Sequence, residues 1–456
     1  MSSVGSLSLI PKHRAEGVLA ALQYSLGQET EINDRISQLF DEALEGLNRP
    51  SPSPSPHPYQ SLDWWSCGSA SQGVGGRRNI LEEIRRDPEL VELFDTFGLP
   101  IGGEDLSAEQ VERIFRKISK RVGDIYKYVY PEFPIFEHDP QEICTSSALL
   151  KQLFRSVCDQ QLSLIFSSYV SFPKDASQEV KVDLIKRYLN KKGHEAARIE
   201  ICDPNCSIFC LPPEFFQLTN LQHLVIAKQN DLVALPSKIE SFKHITRLEI
   251  CDCDALSSLP EGIGNLGTLE TCTVFLEGVD PCSLEFLTRC SNLNTFSISF
   301  SHRYFTVPDW LVDLTNLSSL RIIRAHPATV SQCTFPVSLN TLSISYCELA
   351  EMPLSIFTLS NLRKLDLSGS RFEFIPSEIE ALSKLRRINL FNTPVKRFPS
   401  ELLALPCLDE IGLSRSWARC MASAVWRACA ENEVRLINSR NEPIESPTFS
   451  FEGEKE

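Results

Sequence analysis

The stretch DWWSCGSASQGVGGRR, residues 63–78, is the part of the sequence that most resembles a catalytic loop. Cys67 stands among small residues directly after two tryptophans, as in a thiol-nucleophile loop, and His138 and Asp139 offer a base and a group to orient it. The flanks and the chain order match no protease signature, and GVGG lacks the Lys-Ser/Thr of a phosphate-binding loop. We favour a glycine-rich linker here and assign no catalytic residue.

A second candidate for chemistry is a metal site. Cys202, Cys206 and Cys210 follow one another at C-x₃-C-x₃-C, with His194 upstream. Zinc sites usually pair ligands at C-x₂₋₄-C and take a second pair some distance away. Cys202 ends a predicted strand and Cys210 precedes a Leu-Pro step, so both positions have a structural explanation. The sequence therefore predicts no metal and no cofactor.

The composition limits the classes of function. The chain has 456 residues, 42 % hydrophobic and 23 % charged, which is typical of globular proteins. A net charge of −14 disfavours generic binding to nucleic acid or to anionic membranes. No apolar run is long enough to span a membrane, and the first residues lack the basic region of a signal peptide. These features predict a cytoplasmic protein, with delivery into a host cell left open.

The elements that position any site come from a repeat. Within residues 362–407 one phrase occurs twice, as LRKLDLSGSRFEFIPSEIEALSK and then as LRRINLFNTPVKRFPSELLALPC. The proline of this phrase recurs every 23 or 24 residues, or after about two periods where a copy has degenerated. About ten copies fall between residues 193 and 415. The recurring prolines are Pro212, Pro236, Pro260, Pro308, Pro353, Pro376 and Pro399.

The phrase also specifies the local structure. Alternation in LRRINL places Ile388 and Leu390 on one side of a short strand and Arg387 and Asn389 on the other. The segment FPSELLAL then returns the chain through a helical or 3₁₀ turn. No copy buries its apolar face alone, so stacked copies must share one continuous core under a parallel sheet.

This pattern resembles the leucine-rich repeat family, in the 23–24-residue class with L-P-x-x-I that occurs in plant intracellular receptors, Ras-pathway scaffolds and bacterial proteins. The resemblance covers roughly residues 196–415. It implies an α/β leucine-rich repeat solenoid, a horseshoe with its parallel sheet on the concave face, which binds other proteins through that face. It does not identify the partner.

The predicted concave face combines aromatic residues and arginines with small polar residues, a mixture that protein interfaces favour. Its C-terminal half is basic, which would steer an acidic surface of a protein partner towards it. The oligomeric state is not predicted. The candidate partner-binding residues are Arg247, Glu249, Phe275, Arg321, Tyr346, Lys364, Asp366, Arg387, Asn389 and Phe391.

The remaining residues divide by composition. Helical periodicity and the capping box SAEQ predict an all-α domain before the repeats, whose last helix is expected to close the first end of the stack. The divisions are a helical segment at 1–48, a Pro/Ser- and Gly-rich linker at 49–79, the helical domain at 80–192, the repeats at 193–415, a C-terminal cap at 416–437 and a disordered acidic tail at 438–456.

The sixteen cysteines fit the repeat better than a disulfide framework. Cys272 and Cys290 take apolar core positions, and Cys253 and Cys347 follow strands where a small buried residue is expected. We interpret them as small hydrophobic residues in a reducing compartment.

Two functions are compatible with this organisation. The favoured hypothesis is a non-catalytic recognition or scaffold protein. The alternative is a bacterial effector-like protein or ubiquitin-ligase adaptor in which residues 60–192 carry the activity and the repeats select the substrate.

Overall fold

The computed structural model describes residues 74–99, 101, 106–128, 140–203, 207–276, 278–300, 306–396, 398–414, 423–438 and 441–444. The predicted helical segment at 1–48 lies outside these residues, and so do Cys67, His138 and Asp139. The described residues all belong to one compact unit. None of the helices in this part of the chain has the length and apolarity that crossing a membrane requires.

A helical domain precedes the repeats, as the periodicity predicts. Its helix ends follow from capping side chains: Asp87 accepts hydrogen bonds from the backbone N–H groups of Glu89 and Leu90, and the predicted capping box forms with Ser107 and Gln110 bonded reciprocally at 3.2 and 2.7 Å. The described helices are α1 (Val74–Arg86), α2 (Pro88–Thr96), α3 (Ala108–Tyr128), α4 (Pro140–Ile143), α5 (Ser147–Phe166) and α6 (Gln178–Lys192).

Helix α1 begins six residues before the predicted domain boundary at 80, inside the stretch expected to be linker. Side chains on its first turns explain the difference. Arg77 pairs with Glu112 of α3 and lies 5.6 Å over the ring of Phe115. Arg78 donates to the carbonyl of Leu106 at 2.6 Å. Contacts to α3 therefore outweigh the low helix propensity of the Gly-Gly pair.

The repeats form one sheet of eleven strands in chain order, each parallel to the next. This confirms the predicted solenoid. The strands are β1 (Arg198–Ile201), β2 (His223–Ala227), β3 (Arg247–Cys251), β4 (Thr271–Leu276), β5 (Thr295–Phe300), β6 (Ser319–Ile323), β7 (Thr341–Ser345), β8 (Lys364–Asp366), β9 (Arg387–Asn389), β10 (Glu410–Gly412) and β11 (Arg435–Ile437).

Helical turns return the chain between strands. Each of the seven recurrent prolines precedes such a turn in the extended conformation, as its fixed φ and missing N–H favour. The 3₁₀ segments are Gly193–Glu195, Pro213–Gln217, Ser237–Ser241, Glu261–Asn265, Pro281–Arg289, Asp309–Asp313, Leu354–Thr358 and Ser377–Ala381, and the α-helical ones are α7 (Pro327–Gln332) and α8 (Ser400–Leu403).

The core follows the predicted alternation. Leu365 and Ile388 lie side by side in the register and are almost completely buried. Cys253, Cys272, Cys290 and Cys347 are equally buried, at 4 % exposure or less. The cysteines within the described residues are free thiols.

The helical domain closes the first end of the stack. Val182, Ile185 and Leu189 of α6 belong to the same core as β1, as expected from the sequence. In return, Phe209 and Cys210 of the first repeat enter the core of the helical domain.

An ionic contact reinforces this junction. Arg155 of α5 donates a hydrogen bond to Glu214, which opens the first repeat turn and whose side chain is 9 % exposed. Lys186 of α6 lies 3.4 Å from the same carboxylate oxygen. Arg155 also lies 3.0 Å from Asp159, one turn further along α5. The helical domain and the repeats are therefore joined by ion pairs as well as by apolar contacts.

The C-terminal end is longer than the predicted array. Helix α9 (Ser423–Glu431) leads into β11, which adds an eleventh rung beyond residue 415. The chain then folds back, and Ile444 donates to the carbonyl of Leu436 at 2.8 Å. Residues 438 and 441–444, which the sequence assigns to a disordered tail, make defined contacts, including two hydrogen bonds between Asn438 and Glu442.

Candidate protein-interaction surface

The strand register arranges the outward side chains in rows across the sheet. The first row is charged at both ends and carries hydroxyl groups in the middle, at Thr271, Thr295, Ser319 and Thr341. The second row brings Arg321, Ser343, Asp366 and Asn389 side by side on β6 to β9. Neighbouring positions are one strand apart, about 4.8 Å, so groups on several strands can contact one ligand.

A residue with positive φ follows many of the strands at one equivalent place. Tyr346 after β7 and Arg324 after β6 have φ of 57° and 59°. Gly369 takes this place after β8, and a Cβ on it would lie 2.8 Å from the Tyr346 ring. The sequence predicts Tyr346 as a strand position, but the residue lies just past the end of β7. Its ring lies over a glycine, and the residue is 55 % exposed.

Three candidate residues lie on β3 and β4, and two of them, Arg247 and Glu249, belong to a separate charged network. Arg247 and His223 both contact the Glu249 carboxylate, at 2.9 and 3.2 Å. Phe275 on β4 is half-buried. These positions lie on the predicted face, but none of them lines the C-terminal concavity.

The C-terminal half of the face contains a concavity of about 810 Å³. Six of the ten candidate residues line it, whereas Lys364 stands just outside it in the first row. Serine side chains supply much of the floor, and Ser343 and Ser345 share a hydrogen bond of 2.8 Å. The lining residues are Arg321, Ile323, Ser343, Ser345, Tyr346, Asp366, Ser368, Arg387, Asn389, Phe391, Asn392, Ser414, Asn438, Asn441 and Glu442.

The cations of this half differ in what they contact. Arg387 lies 3.5 Å from Glu410 and donates to Asn441, so its charge is already compensated. Arg321 and Lys364 are exposed, and among the described residues neither has a side-chain partner. The basic strip expected from the sequence is therefore concentrated on β6 and β8, away from the C-terminal end.

The aromatic residues of this half differ in exposure. Phe391 is half-buried in the wall of the concavity. Phe300 is 1 % exposed because it continues the inward alternation of β5. Tyr346 and Phe391 therefore provide the ring surface available to a ligand in the concavity.

Nine of the fifteen lining residues are not among the ten sequence candidates, and three of these nine lie beyond β11. Asn438, Asn441 and Glu442 belong to the turn that folds back along β11. The signal was present in NSRNEP directly after a strand, since Asn tolerates positive φ and Asn441 has φ of 61°. Assigning these residues to a polar tail concealed it.

The described cysteines were also candidates for covalent or metal chemistry. Burial raises the pKa of the Cys251 thiol on β3 to about 12, which keeps it protonated and unreactive near neutral pH. Of the cysteine motif, Cys202 is half-buried at the end of β1, Cys210 packs in the helical core and Cys206 is outside the described residues. Within the described ranges no three His, Cys, Asp or Glu side chains are grouped as metal ligands.

Comparison with known proteins agrees with the register. No family model matches the chain. TMV resistance protein N of Nicotiana glutinosa is 31 % identical over 189 residues, which are 40 % of this chain and 14 % of that protein. The eleven strands in register, repeating at 23 or 24 residues with an L-P step, decide the fold. The chain has the leucine-rich repeat fold. It spans only a seventh of the length of that relative.

Three solved structures show similarity to this chain at low sequence identity. A leucine-rich repeat protein of Leptospira interrogans shares 18 % identity, with a TM-score of 0.34 over 50 % of this chain and 74 % of that chain. Internalin C2 of Listeria monocytogenes shares 16 %, with 0.30 over 57 % and 92 %. The repeat domain of the type III effector XopL shares 20 %, with 0.37 over 56 % and 89 %.

Proposed function

We propose that this leucine-rich repeat protein is a non-catalytic recognition or scaffold protein. It binds a protein partner through the concavity on the face of β6 to β11. The observation that carries the proposal is the concavity with an unpartnered arginine, an exposed tyrosine and a floor of hydroxyl groups. Arginine and tyrosine at the centre of a patch are the residues that most often dominate protein binding energy.

The shape of the surface favours a macromolecular partner. Small-molecule sites are usually enclosed and mostly apolar. Here the concavity is open and about half of its lining surface is polar, and it continues into a sheet face about 48 Å long, from ten strand spacings of about 4.8 Å. A face of this length leaves room for the roughly 800 Å² that each partner buries in a standard interface.

The charges indicate which patch of a partner the surface takes. Arg387 and Arg435 share Glu410, so these arginines contribute little net field. Arg321 and Lys364 are uncompensated and both project from the face. A partner with an acidic patch is therefore attracted to β6 to β8, and the association rate should fall as salt is added.

The sequence similarity to TMV resistance protein N supports a recognition role for the repeats. Because that similarity covers 14 % of the relative, a role in resistance is not carried over. Buried free thiols fit a reducing compartment, which supports the cytoplasm as the site of action. The effector or adaptor alternative depends on Cys67 and His138, outside the described residues, and no described contact favours it.

The test is a paired capture from cells that express the protein. The wild type, Arg321→Glu and Tyr346→Ala serve as baits, with Arg187→Glu on α6, 74 % exposed, as the matched control. We expect one set of partners to be retained by wild type and control and depleted at least tenfold by both concave variants, with unchanged circular dichroism. Equal recovery by all four baits would overturn the proposal.

A further inference from the structure

The end of the described chain lies beside the proposed binding surface. Pro443 bridges to Ile437, and Ile444 bonds back to Leu436, so the chain leaves the outer edge of β11. Asn441 and Glu442, in the turn just before, line the concavity itself. Whatever follows residue 444 therefore starts at the rim of this surface.

The twelve residues that follow, ESPTFSFEGEKE, have the composition of a ligand for this surface. They contain four glutamates against one lysine, and two phenylalanines separated by one serine. The glutamates cluster at the far end, at Glu452, Glu454 and Glu456. After Glu445, the segment carries its aromatic residues first and most of its negative charge last.

Distances along the segment match distances across the sheet. With an extended rise of about 3.3 Å per residue, Phe449 and Phe451 reach about 17 and 23 Å from Ile444. Counting strand spacings of about 4.8 Å from the outer edge of β11, Phe391 after β9 lies about 14 Å away and Tyr346 after β7 about 24 Å away. Each ring of the segment can therefore reach one aromatic residue of the concavity.

The charges correspond in the same order. Arg321 on β6 is about 29 Å from that edge, counted as six strand spacings. Glu452 and Glu454 lie eight and ten residues past Ile444, about 26 and 33 Å at full extension. The cations nearest the rim are already paired with Glu410, whereas Arg321 has no side-chain partner in the described part of the chain. The uncompensated cation thus stands where the glutamates of the segment arrive.

We propose that residues 445–456 bind in cis to the concavity of β6 to β11, with Phe449 against Phe391, Phe451 against Tyr346 and the glutamates against Arg321. The inference rests on the proposed function, since it concerns the same surface. The concavity then selects acidic segments that carry spaced aromatic side chains, and a partner must displace the chain's own copy to bind.

The test uses a labelled peptide of residues 445–456 and fluorescence anisotropy. The proteins are the full chain, the full chain with Phe449→Ala and Phe451→Ala, and the chain ending at Ile444, which keeps every described residue. For a short tether the effective concentration is on the order of millimolar, so a peptide of about 0.1 mM affinity should bind the full chain about tenfold more weakly than the shortened chain. The doubly substituted chain should bind the peptide as the shortened one does.

Controls separate this site from unspecific attraction. In the shortened chain, Arg321→Glu should weaken peptide binding at least fivefold and Arg187→Glu should leave it unchanged. A peptide with both phenylalanines replaced by alanine should not bind. Equal affinity for full and shortened chains, or no binding to either, would overturn the inference. A dimer that forms only with the segment present, seen by sedimentation, would also overturn it, because binding would then be in trans.

The capture experiment with Arg321→Glu and Tyr346→Ala does not depend on this result. If the peptide fails but those variants lose a partner, the segment is not the ligand and the proposed function stands. If the peptide binds but the variants lose no partner, the concavity is a site for the chain itself and the proposed function falls.

Discussion

Removing one member of the ion pair between the helical domain and the first repeat should lower the free energy of unfolding more than removing both members does. Replacing Arg155 with methionine leaves Glu214, whose side chain is 9 % exposed, without its main partner. Breaking a buried pair from one side usually costs about 3–5 kcal/mol. Lys186 at 3.4 Å keeps part of the attraction, so we expect a loss of about 3 kcal/mol, the low end of that range.

The dependence on pH gives the same prediction a second readout. Burial raises the pKa of Glu214, but the hydrogen bond and the charge of Arg155 outweigh it and hold the pKa below its ordinary value of 4.5. The pair therefore stabilises the fold above about pH 4.5 and loses its contribution as the pH falls below that value. In Arg155→Met burial is no longer outweighed, so the pKa of Glu214 rises and the defect should shrink on acidification from pH 7 to pH 5.

The assay is urea unfolding at pH 7 and pH 5, followed by circular dichroism. Arg155→Met with Glu214→Gln should recover part of the lost free energy of unfolding, because Glu214 no longer leaves a buried charge unpaired, although Asp159 still lacks Arg155. Arg187→Met, an exposed arginine on α6, is the matched control and should change stability by less than about 0.5 kcal/mol. A single variant as stable as wild type, or a double variant no better than the single one, would refute the reasoning.

Three further predictions concern stability. Asp87→Ala removes a helix cap and should lower the free energy of unfolding in urea by about 1 kcal/mol. The hydrogen bond of Lys151 lowers the pKa of Asp87 below its ordinary 3.8. Wild type and variant should therefore become equally stable only below pH 3.8. Gly369→Ala places a Cβ 2.8 Å from the Tyr346 ring at a φ of 72° and should cost about 1–3 kcal/mol by thermal unfolding, whereas Gly267→Ala, where a Cβ meets open space, should not. Leu365→Ala opens a cavity in the repeat core and should cost about 2–5 kcal/mol in urea, against no change for Lys364→Ala beside it.

The repeat array was predictable because its signal is redundant. Each copy restates the same alternation, so one degenerate copy at Pro281 does not obscure the register. The seven prolines predicted where the chain turns, and all seven precede helical turns. The expected closing role of α6 agrees with Val182, Ile185 and Leu189, which belong to the core of the repeats.

The candidate site was harder to predict because it depends on contacts between distant residues. The sequence places Arg387 and Arg321 on one face. It does not show that Glu410 and Asn441 contact Arg387, whereas Arg321 has no side-chain partner among the described residues. Tyr346 appears as a strand position until its φ of 57° is known. The contacts of Asn438, Asn441 and Glu442 were missed because the polar composition of this stretch matches that of a tail.

Photo-crosslinking tests the central claim most directly. A photoreactive phenylalanine analogue replaces Tyr346, 55 % exposed on the concave side, or Phe374, 62 % exposed and outside the residues that line the concavity. Both chains are irradiated in the same cells, and adducts are identified by mass spectrometry. The account predicts a protein adduct at position 346 that is absent at position 374 and is lost when Arg321→Glu is added. The same adducts at both positions, or adducts at 374 alone, would contradict it.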